Sequence, residues 1–145
     1  PAIDQYIFGA LADESKEELQ NWFDKQRAYY RSINSELIPN LKKELPGLIV
    51  SSPDASIYSV VDVRNLAPNF NASDFVKYCA TEGNVELEDG DFTLLVAPMA
   101  GFYTIKDGEE NPGDTQMRIA FVETVENMKK VPTLFAQLFN SYISK

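Results

Sequence analysis

Between Asp13 and Gly47 lies the pattern that most narrows what this chain can fold into. Leu19, Trp22, Phe23, Tyr29, Tyr30, Ile33, Leu37, Leu41 and Leu45 recur mostly at intervals of three, four or seven, the spacing that keeps side chains on one face of an α-helix. The run Asp13-Glu14-Ser15-Lys16-Glu17-Glu18 supplies capping candidates and places acidic residues at the positive end of the helix dipole. Pro46-Gly47 is a stop signal. A stripe of about thirty residues is longer than one small core needs, so this helix is expected to reach past its own domain. Pro39 removes one backbone donor inside it and predicts a bend. A shorter amphipathic helix precedes it, with Ile3, Tyr6, Ile7, Ala10 and Leu11 on one face of residues 3–11.

After Gly47 the period changes. Leu48-Ile49-Val50 and residues 56–63 are rich in β-branched side chains and read as two pairing strands. Asn71 caps a helix expected over residues 72–81, with Gly83 closing it. Residues 93–98 and 117–122 read as further strands, and the polar stretches 83–91 and 106–116 as long loops, the second a mobile one at the surface. Thr124 caps a last helix whose apolar positions are Met128, Val131, Leu134, Phe135, Leu138, Phe139 and Tyr142, with Pro132 marking a bend or a late start. The order helix, long helix, strand, strand, helix, strand, strand, helix predicts an α+β fold. It has a long N-terminal helix and a small sheet of about four strands with helices packed on one face.

Charge and chemistry exclude several functions. With 22 acidic and 13 basic residues the net charge is −9, so a polyanion is repelled over most of the surface and nucleic acid is not an expected partner. No apolar run approaches the roughly 20 residues that span a bilayer, and the N-terminus shows no secretory signal, which makes the cytoplasm the simplest address. A chain opening on Pro1 rather than Met reads as processed, trimmed or expressed as a piece. The absence of histidine removes Ser-His-Asp and Cys-His catalysis and any metal site built on imidazole. Cys79 stands alone in an amphipathic helical setting and reads as a packed structural thiol.

One residue asks for an explanation. Arg118 interrupts the apolar run Met117-Arg118-Ile119-Ala120-Phe121-Val122, and strand alternation places it on the face of Ala120 and Val122. One reading is an edge strand with Arg118 in solvent or paired to a nearby acid. The other is a guanidinium held by a rigid strand as a two-pronged clamp for a carboxylate. Periodicity does not choose between them.

Three stretches carry a resemblance that does. Tyr29-Tyr30-Arg31-Ser32-Ile33-Asn34-Ser35-Glu36-Leu37, with Leu41 and Leu45-Pro46-Gly47-Leu48 after it, is similar to the long helix joining the two domains of fold-type I aminotransferases of the aspartate aminotransferase class. Pro53-Asp54-Ala55-Ser56-Ile57-Tyr58-Ser59-Val60-Val61-Asp62 resembles that family's proline and small residues before an aromatic that leads a small-domain strand. Met117-Arg118-Ile119-Ala120-Phe121, with Glu123-Thr124-Val125-Glu126-Asn127-Met128 opening the last helix, resembles the strand whose arginine binds the substrate α-carboxylate. The resemblance implies the C-terminal, small-domain part of a pyridoxal-phosphate-dependent aminotransferase, with a remnant helix of the large domain at 1–12, the interdomain helix at 13–47 and the small α/β domain at 48–145. It implies a homodimeric parent acting on amino acids and 2-oxo acids, in which Arg118 orients the carboxylate and draws the small domain over the site.

The departures bear on the same question. The family's cofactor lysine follows a serine and precedes a stretch rich in glycine and arginine. Ser15-Lys16 has the first pair but continues Glu17-Glu18-Leu19-Gln20, so Lys16 reads as a solvated residue at a helix start. Neither a catalytic residue nor a cofactor ligand is therefore expected in this chain, and pyridoxal phosphate belongs to the intact enzyme. Gly101-Phe102-Tyr103 is the segment that could approach the substrate, with core packing of Phe102 as the competing reading. Two alternatives stand beside the aminotransferase: the same domain from a related lyase or decarboxylase, and a catalytically silent carboxylate-binding or assembly module that uses the long helix.

Overall fold

Side chains at the helix starts act as their chemistry dictates. Ser15 Oγ accepts from the Glu18 backbone N–H at 3.2 Å while the Glu18 carboxylate accepts from the Ser15 N–H at 3.0 Å, a reciprocal capping box. The cap is therefore Ser15, one of the candidates within the run Asp13 to Glu18. Asn71 Oδ1 accepts from the Asp74 N–H at 3.1 Å, and Thr124 Oγ1 from the Asn127 N–H at 3.3 Å. In the computed structural model, which describes residues 1–145, these caps open three of four helices: α2 (Lys16–Glu44), α3 (Ala72–Thr81) and α4 (Val125–Ile143). The remaining helix, α1, covers Ala2–Ala10 and is followed by a 3-10 turn at Leu11–Asp13.

The chain forms two units, Pro1–Ser32 and Ile33–Lys145, the division falling within α2. No residue of the first unit is buried, and Ile3, Tyr6, Ile7, Phe8, Leu11, Trp22, Phe23 and Tyr29 are exposed there. In the second unit the α2 stripe becomes core, with Ile33, Leu37, Leu41 and the following Leu45 all buried. Helix α2 runs through Pro39 without interruption. Gly47, at φ +100°, turns the chain out of it into the strands, a conformation open to glycine at little cost.

Six strands follow: β1 (Ile49–Val50), β2 (Tyr58–Asp62), β3 (Val85–Leu87), β4 (Gly90–Phe92), β5 (Ala97–Pro98) and β6 (Gln116–Ala120). Four of them form an antiparallel sheet in the order β1-β2-β6-β5. The architecture is α+β, a small sheet with helices on one face. Ser59, Val61, Met117 and Ile119 are all buried on that face, as alternation requires of a half-covered sheet. The helical layer is built on aromatics: Phe75 of α3 meets Phe135 of α4 at 6.0 Å between ring centres, and Phe70 meets Phe139 at 5.6 Å.

Five expectations are corrected. Residues 83–91 are not a loop throughout, since β3 and β4 pair as a hairpin from Val85 to Phe92. The strand expected over 93–98 shrinks to Ala97–Pro98, because only these residues reach β6, and Pro98 suits an edge. Strand β6 begins at Gln116 and stops at Ala120, leaving Val122 exposed. Of the two readings of Pro132, the late start is overturned, since α4 starts at Val125 and buries Pro132 in its interior. The stretch 106–116 also carries order of its own: Pro112–Thr115 forms a 3-10 turn in which Gly113 and Thr115 are buried.

Candidate carboxylate-binding site

Strand pairing decides the surroundings of Arg118. Because β6 lies between β2 and β5, it is an interior strand and not an edge. Arg118 faces Val60 across one ladder and Ala97 across the other, on the sheet face opposite the helices. Register puts Tyr58 opposite Ala120, so the Tyr58 ring lies diagonal to Arg118, within reach of a long side chain. On the other side the chain leaves β5 and enters a 3-10 turn, Ala100–Phe102, that brings the Phe102 ring to the same place.

The guanidinium is flanked by both rings, its carbon 5.0 Å from the centre of Tyr58 and 5.1 Å from that of Phe102. These are cation–π distances. The Arg118 side chain makes no ion pair and no hydrogen bond within the chain, so its planar fork of N–H donors is left for a ligand. The pairing with a nearby acid that periodicity left open is not made. Phe102 is 62% exposed, which removes it from the core and leaves it beside Arg118.

A second arginine on this part of the chain is engaged differently. Asp62, buried to 4% exposure at the end of β2, accepts from Arg64 Nε at 2.7 Å, from Thr115 Oγ1 at 2.8 Å and from Gln116 Nε2 at 3.0 Å. Burial pushes the Asp62 carboxyl up, but the hydrogen bonds from Arg64, Gln116 and Thr115 outweigh it and hold it below the usual carboxylate range. Arg64 is raised in turn, chiefly by its hydrogen bond to Asp62. Of these two guanidinium groups, only that of Arg118 is uncommitted.

The network continues toward the aromatic cover. Gln116 Oε1 accepts from the Tyr103 hydroxyl at 2.5 Å, and the Gln116 carbonyl accepts from the Met99 N–H at 3.0 Å. Asn111 Nδ2 donates to the Ala100 carbonyl at 3.0 Å, tying the turn at Ala100–Phe102 to the one at Pro112–Thr115. Sequence reasoning singled out Arg118 and Phe102, and Tyr103 only as part of the segment that could approach the substrate, but not Tyr58 as the second ring, nor Asp62 and Gln116. The only signal for Tyr58 was its place as the aromatic leading a strand, which does not say what it touches.

The residues present do not fit a pyridoxal phosphate site. Lys16 is exposed at the first position of α2. Lys77, Lys129, Lys130 and Lys145 are in surface ion pairs with Asp74, Glu36, Asp89 and Glu82, and every lysine except half-buried Lys130 is exposed. None stands beside a backbone cradle for phosphate of the glycine- and arginine-rich kind. Cys79 is buried, its thiol pushed up to about 11 by burial, and offers no nucleophile at neutral pH.

No protein-family model and no curated protein matches the sequence. Solved structures do. An α-aminoadipate aminotransferase, LysN, from Thermus thermophilus, complexed with N-(5'-phosphopyridoxyl)-L-leucine, superposes with a TM-score of 0.69 at 12% identity, covering 95% of this chain and 30% of its own length. A protein assigned as an amino-acid aminotransferase from Psychrobacter arcticum gives a TM-score of 0.55 at 12% identity, over 78% of this chain and 25% of that one. The chain spans less than a third of either. It has the fold of an aminotransferase-like domain.

Proposed function

We propose that this chain is the small domain of a pyridoxal-phosphate-dependent aminotransferase, and that Arg118 binds the α-carboxylate of its amino-acid and 2-oxo-acid substrates. The observation that carries the reading is the state of Arg118: an interior strand places it, two aromatic rings lie within cation–π distance of its guanidinium, and no acid of the chain takes its donors. A cation–π contact takes none of the guanidinium's N–H donors, which stay available for a bidentate grip that lysine does not reproduce. The fold shared with two aminotransferase structures supports the same reading.

In this proposal Arg118 makes and breaks no bond. Its grip fixes the orientation of the substrate carbon and draws the small domain toward the rest of the enzyme, excluding water. The cofactor and its lysine belong to a part of the parent that this chain does not supply, and the parent is a homodimer in the cytoplasm.

The experiment is a titration of the chain with pyruvate, followed by the side-chain Nε–H signals of its arginines in NMR spectra. Arg118 is expected to shift and saturate, and Arg64, committed to Asp62, to stay in place. Equal shifts at both, or none at Arg118, overturn the assignment. In the intact enzyme, Arg118→Lys is expected to retain the cofactor and to lower kcat/KM for amino acids roughly 10- to 100-fold, the loss expected for charge-assisted hydrogen bonds.

A further inference from the structure

We propose that Tyr103 and Gln116 form a latch that keeps the Phe102 ring on Arg118, and that this latch sets how tightly the guanidinium takes a carboxylate; the proposal rests on the carboxylate reading of Arg118. Phe102 is an exposed residue at the end of a three-residue turn. Besides the Asn111 bond to the Ala100 carbonyl, the turn is held by the residue on either side. Before it, the Met99 N–H donates to the Gln116 carbonyl at 3.0 Å. After it, the Tyr103 hydroxyl donates to the Gln116 side-chain oxygen at 2.5 Å. Phe102 is thus bracketed by two bonds to a single residue, and that residue stands two positions before Arg118 on the same strand face.

The Gln116 amide cannot turn over without loss. Its NH2 group donates to Asp62 Oδ2 at 3.0 Å, and a carboxylate accepts only from a donor. That leaves the carbonyl oxygen toward Tyr103, where it meets the phenol in the only sense that suits both. Asp62 is itself held by Arg64 and Thr115. The orientation of the latch is therefore set from a buried carboxylate, through one amide, to the phenol next to Phe102.

A ring on the guanidinium strengthens carboxylate binding in two ways. It restricts the Arg118 side chain before the ligand arrives, so less rotamer entropy is lost on binding. It also shields part of the guanidinium from water without taking any of its donors. Tyr103 and Gln116 act through Phe102 and are positioning residues.

The test uses the full chain with pyruvate as probe, reading the Arg118 Nε–H signal for affinity and nuclear Overhauser contacts between the Phe102 ring and the Arg118 side chain for geometry. Tyr103→Phe keeps the ring and removes only the hydroxyl. It is expected to lose the Phe102–Arg118 contact and to weaken pyruvate binding roughly three- to tenfold, with the midpoint of thermal unfolding nearly unchanged because the bond lies at the surface. Phe102→Leu should weaken binding equally, whereas Phe102→Tyr, which keeps an aromatic face, should restore it. A Tyr103→Phe chain that retains the ring contact, or loses it with unchanged affinity, overturns the latch alone. A wild-type chain whose Arg118 ignores pyruvate overturns the carboxylate reading itself.

Discussion

Asp62 shows how one side chain can govern a sheet face. A carboxylate that is almost wholly buried survives because donors from Arg64, Thr115 and Gln116 meet its oxygens. Its folded-state pKa lies below the ordinary value, so its contribution to stability is fully present above the unfolded value of about 3.9 and is lost as pH falls through the folded one. Asp62→Asn keeps the shape but turns one acceptor toward its donors as a donor. At pH 7 the substitution is expected to cost about 1–3 kcal/mol in urea unfolding. The gap between wild type and variant should close as pH is lowered below about 4; a gap that is independent of pH would show that the charge is not what matters.

At the scale of elements, the two 3-10 turns at Ala100–Phe102 and Pro112–Thr115 are the parts whose contact places the aromatic cover. They pack backbone to backbone. A Cβ on Gly113 would meet Ala100 Cα at 2.6 Å and Ala100 N at 2.7 Å, distances that main-chain atoms cannot absorb by rotating a side chain. Gly113→Ala is therefore expected to cost about 1–3 kcal/mol and to move Phe102 off Arg118. Gly101→Ala, one position before Phe102, meets nothing within 4 Å and serves as the control. Equal behaviour of the two variants in urea unfolding would mean that the turns do not bear on each other. Neither turn was legible in the sequence, where residues 106–116 read only as a polar loop. The hairpin β3–β4 was missed for a related reason: its strands are three residues each, too short for alternation to show.

The molecule as a whole divides its apolar residues unevenly. Unit Ile33–Lys145 contains every buried residue, while Pro1–Ser32 exposes a helical face of Ile3, Tyr6, Ile7 and Leu11. Apolar area left in water contributes nothing to stability, so removing residues 1–14 is expected to leave the unfolding midpoint of the remainder unchanged. It should also reduce self-association in sedimentation, since exposed apolar patches promote it. A large drop in the midpoint would show that the first unit supports the second. No helix is long and apolar enough to cross a membrane.

What the sequence determined alone was whatever is settled within a few residues. Periodicity located the helices, and Asn71 and Thr124 marked two starts through bonds made three residues away. Arg118 stood out because a charge in an apolar strand is costly enough to be noticed without a structure. Its meaning was decided elsewhere. The ladder joining β2 to β6 pairs residues about sixty positions apart and brings Tyr58 beside the guanidinium, while the pairing of β5 on the other side makes β6 an interior strand. The bond from Thr115 to Asp62 spans 53 positions and the one from Gln116 to Asp62 spans 54. No local pattern encodes such pairs, because side-chain spacing along a strand records which face a residue occupies and not which strand will lie next to it.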